Sequence, residues 1–284
     1  AGMDHLRQIE SSPGSIRATL DCHGVAVLRG LLSNDVCDKA RSAIMAHHAE
    51  ADSQVANGAE ESERWFSQRY PRRDDIMLPY DLPAVQDALS VIFEVLSAPL
   101  NDDLGEESLV SELAAHISFP GARAQTFHTD QPWKHSRQVL TCFIALQDVS
   151  RELGPTEVFL GTHQEPVDEV DRLESSADAP IALTLGKGDV ALMDARVLHR
   201  GGPRDCEPQA PDARTLLYFT VQAEGAKPDE DYTPSLLPEY VGRLPLRDWR
   251  VWFESGPLAK KAMPLNAALW LQSLQSTWRV DADE

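Results

Sequence analysis

The sequence is poor in cysteine. Cys22, Cys37, Cys142 and Cys206 are the only four in 284 residues. None are close-spaced as in a zinc site, and they are too few for a disulfide framework, so free thiols in a reducing compartment are expected. Long apolar runs are missing too: no stretch reaches the roughly 18 residues that a membrane helix requires. Positive charge is scarce. Lys and Arg total 26 against 45 Asp and Glu, a formal net charge of −19. That balance argues against a nucleic-acid face and gives no attraction to an anionic membrane. No charged segment followed by an apolar one opens the chain, so no secretory signal is read, and Ala1-Gly2-Met3 looks like a cloning scar before a native Met3. A cytoplasmic location is the expectation. Several catalytic signatures are also lacking: no Gly-x-Ser-x-Gly elbow, no Walker loop, no Gly-x-Gly-x-x-Gly and no local signature of a nucleophilic cysteine.

What is present is enough apolar matter for a core, 42% of residues, which excludes wholesale disorder. The length fits one or two domains. Val25–Leu28 reads as a short strand between Gly24 and Gly30. Ser33 or Asn34 then caps a helix whose buried face is expected at Val36, Ala40, Ala43, Ile44 and His47. Residues 51–64 read as an exposed polar loop. Pro83 opens a second helix near its first position, with an apolar stripe at Val85, Ala88, Leu89, Ile92, Val95 and Leu96. From about residue 108 the texture changes. Leu109–Ser118, Val139–Leu146, Glu157–Leu160, Ile181–Leu185, Asp189–Met193 and Thr215–Gln222 read as strands with Gly, Pro or Asp between several of them. Many short strands without long helices between them suggest a barrel or sandwich with helices outside. Residues 164–180 read as a solvated acidic loop, and a last helix is expected from Pro264 past Trp270 to Trp278.

Three pieces carry chemistry. The first is His128-Thr129-Asp130. Residues i and i+2 of an extended chain share a face, so the imidazole and carboxylate leave one edge together. The second is a Gly188-Asp189 turn and an apolar strand that ends near His199, before Gly201-Gly202. His199 could be a satisfied core residue or could complete a triad. Two His and one carboxylate suit non-haem Fe(II), which needs open positions, and zinc hydrolysis can use the same ligand types. The third piece is Arg214, which opens an otherwise apolar strand. A buried guanidinium must find an anion. A dicarboxylate cosubstrate is one candidate for bidentate binding, and a salt bridge to an Asp or Glu is the plainer alternative.

In this order, His-x-Asp, His and Arg, the chain resembles the Fe(II)/2-oxoglutarate dioxygenases of the phytanoyl-CoA dioxygenase-like family. Gly24–Leu32 looks like that family's N-terminal strand and helix start, and Gly154–His163 resembles its Gly-x-Thr…Gly-Ser-His stretch. The resemblance implies a mainly β fold with flanking helices around a double-stranded β-helix, a jelly-roll, cupin-like core. It implies one domain over 1–284, with a mainly helical part at 14–105, the β core at 106–225 and a C-terminal extension at 226–284. His128, Asp130 and His199 match the iron ligands. Arg214 matches the arginine that grips the distal carboxylate of 2-oxoglutarate, with Arg204 as the competitor because Pro203–Ala213 looks like an insertion. Gln125 and Thr156 match cosubstrate contacts in relatives that modify fungal meroterpenoids. An upstream arginine has a similar part, for which Arg73 is preferred over Arg69 and Arg72. The implied reaction uses Fe(II), 2-oxoglutarate and O₂ to hydroxylate or desaturate an unactivated C–H of a small molecule, releasing succinate and CO₂. The carboxylate of Asp130 disfavours halogenation, which needs that position for chloride.

Other residues are given lesser parts. Trp133 could wall the substrate pocket, or pack the core. His135 and His163 read as structural or surface groups, and Phe143 as a core strand residue that could line the cosubstrate pocket. Trp249 and Trp252 could serve a lid or subunit interface, though plain packing is preferred. A non-catalytic metal-binding member of the fold, a fatty acyl-CoA hydroxylase and a zinc hydrolase remain as alternatives. A smaller metabolite is favoured over an acyl-CoA, because the −19 background repels its phosphates. A monomer or homodimer is expected.

Overall fold

The computed structural model describes residues 6–59, 64–131, 137–164, 179–204, 213–226 and 234–258. Ten strands form two antiparallel sheets. They are β1 (Val25–Leu28), β2 (Phe66–Tyr70), β3 (Arg73–Met77), β4 (Leu109–Ser118), β5 (Val139–Ala145), β6 (Thr156–Val158), β7 (Ile181–Ala182), β8 (Val190–Asp194), β9 (His199–Gly201) and β10 (Arg214–Gln222). The major sheet runs β1-β8-β5-β10-β4-β3-β2 and the minor one β7-β6-β9. This is the jelly-roll architecture that the family resemblance implied, within the barrel-or-sandwich class that the strand-rich second half suggested. Four α-helices flank it: α1 (Ile16–His23), α2 (Asn34–Ala56), α3 (Pro83–Leu104) and α4 (Trp249–Ser255). No helix among the described residues is long and apolar enough to cross a membrane.

The major sheet is buried on both faces, and alternation decides what each face carries. On β10, Leu217, Phe219 and Val221 join the outer core with the helices. Their neighbours Leu216 and Tyr218 join the inner cluster with β6 and β8. The outer face is dry: Phe93 on α3 packs edge-on against Phe219 at 5.0 Å and against Trp252 at 5.8 Å. Each such buried side chain stabilises the fold by about 1.5–3 kcal/mol relative to exposure. Trp249 and Trp252 are both buried there, so they are core residues and not a lid.

Several expected boundaries shift. Ser33 caps α2 by accepting from the Val36 amide, but the helix runs through residues 51–56, which read as loop. Its Ala, Glu and Gln residues are good helix formers, and Ala51 is buried. The buried face is Cys37, Ala40, Ile44, His48 and Ala51, turned from the expected stripe, so that Val36, Ala43 and His47 are only half-buried. On α3, Phe93 is buried where Val95 had been expected. Strands β2, β3 and β9 had no sequence signal. The first two lie within the stretch read as mainly helical and extend the major sheet, β3 pairing with β4 and β2 with β3 at the edge. Trp133, His135, most of the acidic 164–180 stretch and the helix proposed from Pro264 to Trp278 lie outside the described residues.

Candidate active site

Backbone pairing builds the first part of the site. His128 and His199 exchange reciprocal main-chain hydrogen bonds, each N to the other's carbonyl at 2.9 Å, and the Asp130 amide donates to Ala195 O at 2.8 Å. These bonds tie the segment after β4 to β9, so two stretches distant in sequence present their side chains together. Each imidazole is then fixed from behind. His128 Nδ1 lies 2.9 Å from Thr126 O, and His199 Nδ1 lies 2.9 Å from Val197 O. A carbonyl only accepts, so both Nδ1 atoms carry the proton and both Nε2 lone pairs face inward. They meet the Asp130 carboxylate, at 3.7 Å from His128 and 3.6 Å from His199. Those spacings are too long for hydrogen bonds, and all three ligand atoms lie within 4.8 Å of one another. Burial pushes the His199 imidazole below its ordinary range; Asp130 opposes this and His128 adds to it. The neutral ring is the form that binds metal.

The second part is a cluster of buried arginines around Ser118. Arg214 donates from Nη2 to Ser118 Oγ at 3.0 Å and from Nη1 to Gly154 O. Arg73 donates to Ser118 Oγ at 2.9 Å, to Gly202 O at 2.5 Å and to Arg123 O at 3.0 Å. Arg204 donates to Ser118 O at 2.6 Å. The register explains the meeting, since Arg214 and Arg73 flank Ser118 from either side on the same face. No carboxylate contacts Arg73 or Arg214 among the described residues, and Arg214 Nε has no partner there. Burial, with repulsion from Arg73 and Arg204, pushes Arg214 down to about 9. Like charges packed in a low-dielectric site favour an anion between them.

Both parts open into one cavity of about 850 Å³, lined by the triad, Arg73, Gln125, Thr156 and Arg214 among others. Arg214 lines this cavity and Arg204 is not among its lining residues. Of the upstream arginines, Arg69 is engaged by Asp52 and Asp74, and Arg72 is exposed. Gln125 accepts from the Gly201 amide through Oε1 at 2.8 Å and lines the cavity. Gly201 is needed for this approach: a Cβ there would lie 2.6 Å from Gln125 Oε1 and 2.8 Å from Arg73 Nη1. Phe143 is both a core residue and a cavity wall. His163 is buried, with Nε2 3.2 Å from Asp21 O, away from the cavity.

Sequence reasoning missed three residues that line this cavity, Asp75, His116 and Tyr218. The signal was parity. His116 shares a face with Ser118 two residues on, and Tyr218 shares one with Arg214.

Comparison with known proteins agrees with this architecture. The phytanoyl-CoA dioxygenase (PhyH) family model matches residues 20–205. A curated relative, dioxygenase af480 of Aspergillus fumigatus, is 26% identical over 144 residues, covering 48% of this chain and 44% of the relative. The match thus spans less than half the length of that relative. Among solved structures, HygX from Streptomyces hygroscopicus, with nickel and 2-oxoglutarate bound, superposes with a TM-score of 0.55 at 14% identity over 75% of this chain and 87% of that one. The non-haem α-ketoglutarate-dependent epimerase SnoN from nogalamycin biosynthesis superposes at 0.50 with 19% identity, over 78% and 82%. These two likenesses are of fold. With the family model matching well over half of its length, the chain belongs to the phytanoyl-CoA dioxygenase family.

Proposed function

We propose that the protein is an Fe(II)- and 2-oxoglutarate-dependent oxygenase that hydroxylates or desaturates an unactivated C–H of a small metabolite, with release of succinate and CO₂. The observation that carries this reading is the pairing, in one cavity, of a two-His-one-carboxylate cluster with a buried arginine that meets no carboxylate among the described residues. The donor set fits the metal: two neutral imidazoles and one carboxylate on one side leave the other side open. When bound, Fe(II) with 2-oxoglutarate and O₂ supplies the oxidising chemistry, and the protein supplies orientation.

Each residue then has a role. His128, Asp130 and His199 hold the metal, and the carbonyls of Thr126 and Val197 fix the ring orientations. Arg214 binds the distal carboxylate of the cosubstrate in its planar fork, with Ser118 and Gly154 fixing its orientation. Arg73 adds positive potential, and Gln125 and Thr156 contact the cosubstrate from the minor-sheet side. Anchoring the far end of a dicarboxylate sets where its keto acid end lies.

The test is succinate formation by anaerobically Fe(II)-loaded protein given 2-oxoglutarate and air, beside a His199→Ala control. Succinate from the wild-type protein alone supports the reading. Failure of the metal-loaded protein to bind 2-oxoglutarate sinks it in favour of a non-catalytic member of the fold.

A further inference from the structure

One register step along the inner face from the Arg73–Ser118–Arg214 row lies a row of different character, Asp75–His116–Leu216. The Asp75 carboxylate accepts from Ser67 Oγ at 2.7 Å, Ser235 Oγ at 2.6 Å and Tyr218 Oη at 2.9 Å. His116 Nδ1 lies 3.4 Å from its other oxygen. No arginine or lysine is paired with Asp75 among the described residues, so its charge is spread over neutral donors. The His116 ring stacks on Tyr218 at 4.3 Å with an interplanar angle of 13°. The ring is thus held on one face by Tyr218, with the Asp75 charge beside one edge.

At 3.4 Å Asp75 makes no hydrogen bond with Nδ1, but its negative charge favours the imidazole proton on that side, which leaves a lone pair on Nε2. That atom has no hydrogen-bond partner among the described residues, and the His116 side chain, 40% exposed, lines the cavity. The neighbouring hydroxyls are spoken for in the same sense. Thr220 donates to Glu112 and lies 3.1 Å from Thr141 Oγ1. The hydroxyl hydrogens of Ser235, Tyr218 and Thr220 thus point into carboxylates, and the capacity these groups leave toward the cavity is for accepting. A hydrocarbon placed there would leave these acceptors desolvated and unpaired, at about 1–3 kcal/mol each.

We propose that His116 Nε2 accepts a hydrogen bond from the substrate, with Asp75 and Tyr218 as positioning residues, and that the substrate is a polyhydroxylated ring and not a fatty acyl or isoprenoid chain. The inference rests on the oxygenase reading above. The Phe143 ring, on the same wall, suits the C–H face of a saturated ring, and about 850 Å³ leaves room for one beside the cosubstrate.

The test measures succinate release by the Fe(II)-loaded enzyme above its rate with no added compound. One panel holds methyl glycosides, inositols and aminocyclitols, and the other holds fatty acids, their CoA thioesters and isoprenoid alcohols. At least one member of the first panel is expected to stimulate release. His116→Phe should raise the KM for that compound about tenfold or more, the loss expected for one hydrogen bond. His116→Gln, whose amide oxygen can accept, should recover most of the difference; that recovery separates recognition from a folding defect. Stimulation by the second panel alone, by neither panel, or with an unchanged KM in His116→Phe overturns the inference. Binding of 2-oxoglutarate to the wild-type protein is read separately, so a failure of the oxygenase reading shows as loss of that binding.

Discussion

The molecule contains two clusters of the same composition class, and they have opposite fates. His128, Asp130 and His199 form one; His48, Asp52 and Asp74 form the other, and both bring their ligand atoms within 4.8 Å. In the second, His48 Nε2 bonds Asp74 directly at 2.7 Å, and Arg69 reaches Asp74 at 3.1 Å and Asp52 at 2.9 Å. A guanidinium has taken the place a cation would hold. Burial would raise the Asp74 carboxyl, but the bonds from His48 and Arg69 outweigh it and hold it low. In the first cluster the imidazole–carboxylate distances stay near 3.6–3.7 Å, and no arginine or lysine enters among the described residues. Ligand types alone do not distinguish the two clusters; whether the carboxylates already have their own cation does.

The comparison can be broken at either cluster. The largest effect is expected from Asp130→Ala, which removes one of the three side chains proposed to hold the metal. Metal affinity, followed by Fe(II) or Co(II) titration, should fall by more than the roughly 10–100-fold typical of losing an outer-shell partner, while the melting temperature of the metal-free protein changes little. Asp74→Ala should do the reverse. It should lower unfolding free energy by about 3 kcal/mol in denaturant titration, the low end for breaking a buried pair because Arg69 and Asp52 reach solvent, and leave metal affinity alone. If Asp74→Ala abolished metal binding, the assignment of the two clusters would be reversed.

Smaller effects sharpen the contrast. Gly201→Ala should push Gln125 and Arg73 aside and weaken 2-oxoglutarate binding by about tenfold in calorimetry, roughly one lost hydrogen bond. Asp74 also predicts an acid limb. Its folded pKa lies below the unfolded value, so its stabilisation is present above the unfolded value near 4 and is lost as pH falls through the folded value. Melting scans should show Asp74→Asn losing less stability than wild type over that acid window. The smallest signal is expected from Arg69→Ala in a His199→Ala background. Freed of its guanidinium, the second cluster should take up Co(II) weakly, visible by absorption, whereas silence would mean that Arg69 is not what closes it.

Much of this was legible in the sequence where one residue type has one job. The His-x-Asp spacing, the later His199 and the arginine on an apolar strand pointed to residues that the structure brings into one cavity, and short runs with Gly, Pro or Asp between them carried most of the core strands. The β2–β3 hairpin was not legible, because its Arg73-Asp74-Asp75 run is charged and poor in β-formers. Those side chains are in a strand because their partners lie elsewhere: Ser118 and Gly202 for Arg73, His48 for Asp74, Ser235 and Tyr218 for Asp75. The part of Gly201 was hidden for a similar reason. A small residue after His199 gives no hint that Gln125 and Arg73 pass within 3 Å of where a side chain would start.

The main-chain clasp between His128 and His199 has a bearing on how the chain comes into being. Its two sides lie 71 positions apart by number, and Arg73 and Arg214 lie 141 apart, yet all converge on one cavity. Bringing such distant stretches together is a late event in folding, because loop closure must be met before the contacts reward it. During synthesis a chain emerging N-terminal first displays His128 and Asp130 well before His199 exists to oppose them. Only a chain that has closed its barrel brings all three side chains together, so the cluster arrives together with the walls that enclose it.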